Sequence, residues 1–356
     1  MVFSMTIDSS NQREFPYEGI PEGWYQVAWS NEIEPGAVIP LRYFGTDLVL
    51  YRLETGELRL TGAYCPHMGA HLGYGGRVEG TDIVCPYHAW RFDSDGRNCE
   101  VPYADGPNRT RLHQWSVIEE ATIVSAWYSP DGSTPKWDPI SIPEYSRADE
   151  YAVADDLRAR WENLNMKPQY AAENLVDPAH QKYVHRSNSV PVLQGVEDDG
   201  SLFRVRTEIR FGEGKSSTWL TPDGVPVTGH IDAEAWGLGN LLGRFDIDGS
   251  LTLQTFTPID ADTCDSRLTV IVRNSDMVDG SPSEDAIRRF KHSCKQFERD
   301  LVIWEHMEYR APNPLAPSEV GPFRQFRSWS TKFYADADPE RFGRRKEPRV
   351  EVRAVG

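Results

Sequence analysis

Apolar and polar positions along this chain mostly follow the two-residue period of strands. The aromatic run Trp24-Tyr25-Gln26-Val27-Ala28-Trp29 reads as a strand, and 38–44 and 48–53 follow as two more. Thr55-Gly56-Glu57, set before Leu58-Arg59-Leu60, predicts a hairpin turn. Together these make a small all-β unit. Prolines at 130, 135, 139 and 143 mark its exit and a boundary near 130–150. Beyond it, Asp155 to about Asp177 reads as helical. Residues 202–211 then set Phe203, Val205, Thr207 and Ile209 against Arg204, Arg206, Glu208 and Arg210, a half-buried strand. Residues 251–256 and 267–273 add two more. Ser281-Pro282-Ser283-Glu284 reads as a capping box with proline at the first helical position. After it, Ile287, Phe290, Cys294, Phe297, Leu301 and Trp304 recur at three and four residues, the stripe of a long core-facing helix. Strands grouped together and closed by one long helix define an α+β class, an antiparallel sheet gripping a helix. The expected units are 20–135 and 145–335, with a charged tail over 336–356.

Composition narrows the reading. The 356 residues suit about two domains at ~150 residues each. With 26% charged and 39% hydrophobic residues the chain is ordinary for a soluble protein. A net charge of −16 argues against nucleic acid, which draws basic surfaces, and suits a basic redox partner or plain solubility. No apolar run approaches the ~20 residues of a membrane helix, and Met1 to Glu14 is polar, unlike a signal peptide. Of the five cysteines, Cys99, Cys264 and Cys294 are unevenly spaced and read as free thiols more readily than as a disulfide framework. A cytoplasmic location is the default.

Two pairs of metal-ligating residues fall within 24 positions: Cys65-Pro66-His67 and, seventeen residues on, Cys85-Pro86-Tyr87-His88. Two thiolates on one iron and two neutral imidazoles on the other are the ligand code of a Rieske [2Fe–2S] centre. The intervening Gly69, Gly73, Gly75, Gly76 and Gly80 suit tight loops around such a cluster. Zinc also accepts two Cys and two His, but its fingers place both histidines last; a Cys65–Cys85 disulfide is the other competing reading.

Glu173-Asn174-Leu175-Val176-Asp177-Pro178-Ala179-His180, followed after four residues by His185, is a second constellation. Two histidines and one carboxylate on one face of iron(II) leave positions open for oxygen and substrate. Residues five apart lie about 140° apart on a regular helix, so the rings do not converge on one straight face; Pro178 implies a break or restart there, and a distorted helix end would bring both rings inward. Asp300, on the flank of the long apolar stripe, is the candidate carboxylate; Glu298 and Glu305 fall on its other flank, and a salt bridge to Arg299 or another surface cation is the alternative role. Asp177 reads equally as a helix cap before proline or as a bridge from His180 to a cluster histidine. Gly237-Leu238-Gly239-Asn240-Leu241-Leu242-Gly243 fails the dinucleotide spacing and carries no role.

From about Trp24 to Tyr334 the chain resembles the oxygenase component of Rieske non-haem iron oxygenases. Besides the ligands, the likeness lies in 43–52, 63–72, Gly75-Gly76-Arg77-Val78-Glu79-Gly80, 300–305 and 321–329. This set is similar to the branch of bacterial 3-ketosteroid 9-alpha-hydroxylases and animal cholesterol 7-desaturases. The resemblance implies a Rieske cluster on Cys65, His67, Cys85 and His88 and a mononuclear Fe(II) on His180, His185 and Asp300. It implies that Asp177 accepts from His88 of a neighbouring subunit, with Asn174 nearby, in a head-to-tail homotrimer with a helix-grip catalytic domain. His71 has no place in that pattern. Electrons would come from NAD(P)H through a separate flavin or iron–sulfur reductase, and O2 would hydroxylate or desaturate a steroid-like substrate. An O- or N-demethylase or ring dioxygenase is the alternative activity. An electron carrier and a lipid-binding helix-grip domain are the alternatives from other classes. Pocket residues are expected from the Trp219–Phe256 region.

Overall fold

The computed structural model describes residues 15–187, 189–211 and 225–335; the expected tail and the polar amino terminus lie outside them. In the first half, β1 (Gly23–Trp29), β2 (Val38–Tyr43), β3 (Thr46–Arg52), β4 (Leu58–Gly62), β5 (Arg77–Glu79), β6 (Asp82–Val84), β7 (Arg91–Phe92), β8 (Asn98–Glu100), β9 (Gln114–Trp115), β10 (Val117–Glu120) and β11 (Ile123–Tyr128) form three small antiparallel sheets, ordered β1-β11-β10, β2-β3-β4-β9 and β5-β6-β7-β8. Tyr25, Leu48, Leu50, Leu60 and Val124 fill one core beneath the first two. A second core, built on Cys65, Leu72, Ile83, Cys85 and Phe92, lies under the loops after β4 and β6.

The second half carries β12 (Tyr151–Ala152), β13 (Arg158–Leu164), β14 (Val192–Asp199), β15 (Leu202–Phe211), β16 (Val227–Trp236), β17 (Asn240–Phe245), β18 (Leu251–Pro258) and β19 (Cys264–Arg273) in one antiparallel sheet. Its order is β12-β19-β18-β17-β16-β15-β14, with β13 also on β19. Against it packs α3 (Glu284–Trp304), after the short α1 (Pro168–Glu173) and α2 (Pro178–Tyr183) and before α4 (Val320–Ser330). The stripe on α3 divides between two cores. Ile287, Phe290 and Cys294 meet Leu268, Val270 and Val272, whereas Phe297, Leu301 and Trp304 meet Phe256 and Cys264. Each fully buried side chain of this kind contributes roughly 1.5–3 kcal/mol, which anchors Asp300 on a rigid element. The α+β class holds.

Two expectations need correction. Asp155 to Asp177 is not one helix: a 3-10 turn at Asp155–Leu157 leads into β13, and helix begins only at Pro168. Arg158 to Trp161 are opposed by Thr269 to Ser266 on β19, a long-range pairing that overrides local preference. The cap of α3 also sits two residues later than read. Ser283 accepts the Ala286 amide, while Ser281-Pro282 pairs with Met277-Val278 as a short ladder. The glycine-rich segment at 237–243 turns out to be the β16–β17 hairpin. Gly239 matters there because a Cβ would lie 2.5 Å from the Tyr25 ring and 3.1 Å from the Trp24 carbonyl. Asn240 donates to that same carbonyl at 2.8 Å, so this turn docks the two halves. Arg267 completes the seam through the Gln26 and Val27 carbonyls and the Tyr43 hydroxyl.

Candidate metal centres

The two Cys–His segments fold into the same turn twice. The Cys65 amide donates to Ala70 and Gly69 donates back to the Cys65 carbonyl; Cys85 does the same with Trp90 and Ala89. In each loop the fourth residue after cysteine has positive φ, Gly69 at 74° and Ala89 at 55°. Glycine accepts that conformation freely and alanine only under constraint. The repeat explains how ligands from two separate loops face each other. Cys65 and Cys85 are both buried and neither forms a disulfide. The His67 and His88 rings are 4.7 Å apart, with His67 stacked on Trp90 at 4.2 Å and His88 against Tyr87 at 3.8 Å.

These residues fit a cluster on their own chemistry. The buried Nδ1 of His88 has no hydrogen-bond partner among the described residues, an arrangement that costs free energy unless something else meets it. Burial, reinforced by the adjoining Cys85, pushes the Cys65 thiol up to about 11; a metal bound there would hold it as thiolate.

The second constellation forms around a broken helix. Asp177 caps α2 by accepting the Ala179 and His180 amides through Oδ1 at 3.1 and 3.3 Å. The helix stops at Tyr183, and His185 follows with its amide 3.4 Å from the His180 carbonyl. Because His185 lies past the helix end, the two rings converge to 5.0 Å centroid separation, which a straight helix would forbid. Asp300 reaches in from α3, placing Oδ2 3.3 Å from His185 Nε2. One ligand atom from each of His180, His185 and Asp300 lies within 4.8 Å of the others, the one such group among the described residues.

Both imidazoles have Nδ1 engaged by a neighbouring oxygen. His180 Nδ1 contacts the Asp177 main-chain carbonyl, and His185 Nδ1 lies 3.0 Å from Gln296 Oε1. Both acceptors demand Nδ1–H, so in each neutral ring the lone pair falls on Nε2. Burial and neighbouring His185 hold the His180 imidazole below its usual range, favouring the neutral form that binds metal. Gln181 Nε2 now donates to His180 Nε2 at 3.0 Å and would have to yield to a metal.

Other sequence candidates sort themselves by position. Glu298 is exposed, and Glu305 contacts Asn165. Arg299 turns to Gln296 at 2.8 Å and makes no salt bridge with Asp300. Asn174 borders the His180 cavity. His71 accepts from Gly73 within its own loop. Asp177 Oδ2 lies 3.9 Å from His180 Nδ1, and the carboxylate remains partly exposed. Gln296 went unread in the sequence, although His292, Gln296 and Asp300 repeat every four residues and so share one face of α3.

The three donors open onto a cavity of about 240 Å³. Ile209, Ile231, Leu241, Leu242, Phe256 and Trp304 give it apolar walls, with Glu234 and Gln254 among the polar lining. Much of the wall comes from 225–256, as expected, but Thr207, Ile209 and Pro191 add a side that local pattern did not reveal. The expected positions 219–224 lie outside the described residues.

A domain with Cys–His loop pairs, joined to a sheet-and-helix domain with a two-histidine, one-carboxylate pocket, is the architecture of a Rieske oxygenase component. The Rieske [2Fe–2S] domain family matches residues 23–116, and the 3-ketosteroid 9alpha-hydroxylase C-terminal domain family matches 126–334. The chain belongs to the 3-ketosteroid 9-alpha-hydroxylase family of Rieske oxygenases. It is 28% identical to a 3-ketosteroid-9-alpha-monooxygenase oxygenase component of Rhodococcus rhodochrous, over 94% of this chain and 86% of that one. It is 29% identical to a cholesterol 7-desaturase of Caenorhabditis elegans, over 90% and 78%. Dicamba monooxygenase bound to dicamba shares the fold, with a TM-score of 0.67 at 20% identity over 90% of this chain and 99% of that one. A Rieske cluster and a mononuclear iron are the cofactors of this oxygenase. No helix among the described residues is long and apolar enough to cross a membrane.

Proposed function

We propose that the chain inserts oxygen into, or desaturates, an unactivated position of a steroid-like polycyclic substrate. The observation carrying this reading is three metal-ligating side chains meeting on the wall of an otherwise mostly apolar cavity. Cys65, His67, Cys85 and His88 would hold the cluster, and His180, His185 and Asp300 the iron. Bound there, the cluster supplies electrons and the iron activates O2. The protein's own work is positioning. Ile209, Leu242 and Phe256 hold a rigid hydrocarbon skeleton and displace water, and the imidazole tautomers keep Nε2 free at the pocket wall.

Electrons would come from NAD(P)H through a separate reductase, in the cytoplasm; the relative's description as an oxygenase component supports a separate electron donor. The proposed domains are 20–135 and 145–335, followed by the 336–356 tail; the last strand of the first half ends at Tyr128 and the second sheet begins at Tyr151. A head-to-tail trimer is supported by the exposed Tyr64, Met68, Tyr74, Tyr87 and Tyr103 around the cluster loops, which offer a surface for a neighbouring subunit. The steroid reading is tested by reductant consumption with a surrogate reductase across sterols, ketosteroids, methoxyaromatics and N-methylated heterocycles, with mass analysis of products. Gain of one oxygen or loss of two hydrogens on a steroid supports it; turnover confined to demethylation of small aromatics overturns it.

Asp177→Asn separates the two roles open to that residue. Asparagine caps a helix about as well as aspartate, so α2 and both metals should persist. If the carboxylate bridges His180 to a cluster histidine of the neighbouring subunit, cluster oxidation in a single turnover should slow by roughly 10–100-fold. A variant with the wild-type rate leaves Asp177 a cap alone.

A further inference from the structure

His185 is held by a network that none of the motifs announced. Its Nδ1 faces Gln296 Oε1 at 3.0 Å, and Arg299 Nη1 donates to the same oxygen at 2.8 Å. On the other side of the amide, Gln296 Nε2 donates to His292 Nε2 at 2.8 Å. An arginine side chain only donates, so the oxygen of Gln296 must be the atom facing it. That oxygen then accepts from His185, whose Nδ1 must carry a proton, so that in the neutral ring the lone pair falls on Nε2, 3.3 Å from Asp300 Oδ2. His292 agrees with this polarity. Burial, then the Arg299 charge, lowers its imidazole to about 4, so at neutral pH its Nε2 can accept from the amide.

We propose that Gln296 is a positioning residue whose amide, polarised by Arg299, fixes His185 in the tautomer that presents Nε2 to the metal. The proposal rests on the reading of His185 as a ligand, and the test separates failure of one from failure of the other. It measures Fe(II) affinity at the mononuclear position of the full chain under anaerobic conditions by chelator competition. The cluster's visible spectrum serves as an internal check on folding.

Gln296→Met keeps the volume and loses the acceptor; Gln296→Glu keeps the acceptor and loses only the donor to His292, with Arg299 offsetting the new charge. Gln296→Met is expected to weaken Fe(II) binding roughly 10–100-fold, in the range for losing an outer partner of a ligating histidine. Gln296→Glu should bind close to wild type. A packing role would treat the two alike, so equal affinities in both variants overturn the proposal. Arg299→Met, which frees the amide to turn, should also weaken binding, and Arg299→Lys should restore part of it. An Arg299→Met chain with wild-type affinity overturns the proposal even where Gln296→Met does not fold. His185→Ala is the control: if it binds Fe(II) like wild type, the ligand reading falls and the proposal falls with it.

Discussion

Replacing Cys85 by alanine is expected to bleach the protein and stop turnover. The cluster needs all four donors, and Cys85 sits in a buried loop where no other described cysteine can substitute: Cys99 lies at the other side of β7, against Asp82. Iron should fall from about three atoms per chain to about one, with acid-labile sulfide lost. The catalytic half should stay folded, because the core holding Phe256, Phe297 and Trp304 shares no residue with the core under the cluster loops. The second core of the first half should loosen, since Cys65, Leu72, Ile83, Trp90 and Phe92 close around those loops. Iron and sulfide analysis beside the visible spectrum and far-UV dichroism read all three effects. A Cys85→Ala protein that keeps its colour would mean the cluster is held elsewhere.

How much of this was legible beforehand divides along a physical line. The Cys–His pairs could be read because cluster ligation is a property of a few adjacent residues, and the turn repeated at Cys65 and Cys85 needs only local hydrogen bonds. The α3 stripe was legible for the same reason, since Phe297, Leu301 and Trp304 announce their face by spacing alone. β13 was not: its strand exists through β19, more than a hundred residues away in sequence. Nor was the cap of α3, where two serines flank one proline and only the ladder at Ser281-Pro282 decides which serine starts the helix.

The mononuclear site mixes both kinds of information. Pro178 signalled the restart that begins α2, but it is the end of that helix at Tyr183 that lets His180 and His185 meet. Asp300 could be shortlisted from its flank of the stripe, but its contact with His185 is tertiary. Gln296 belonged to no recognised pattern. Its importance appears only when Arg299, one alternative partner for Asp300, is found donating to it.

Asp300→Ala should abolish product formation while leaving the cluster spectrum unchanged, and it should do so without weakening the metal-free fold. Asp300 is buried on α3, and the His185 imidazole faces it with Nε2 3.3 Å from Oδ2. Where that imidazole is neutral and gives its Nδ1–H to Gln296, Nε2 turns only a lone pair to Asp300, so the carboxylate lacks the cation that a buried charge requires. At a pH where His185 is neutral, removing Asp300 therefore relieves the metal-free protein, whose melting temperature should hold or rise. With Fe(II) the order reverses. Wild type gains stability in proportion to the logarithm of metal concentration over its dissociation constant, while Asp300→Ala gains little and carries about two irons per chain where wild type carries about three. The loss of affinity should exceed the roughly 10–100-fold that an outer partner commands, since a ligand itself is gone. An ordinary structural salt bridge gives the opposite signature, a metal-free variant that melts lower and an iron content that does not change. That outcome would move the carboxylate out of the metal site and leave two imidazoles too few to hold iron for oxygen chemistry.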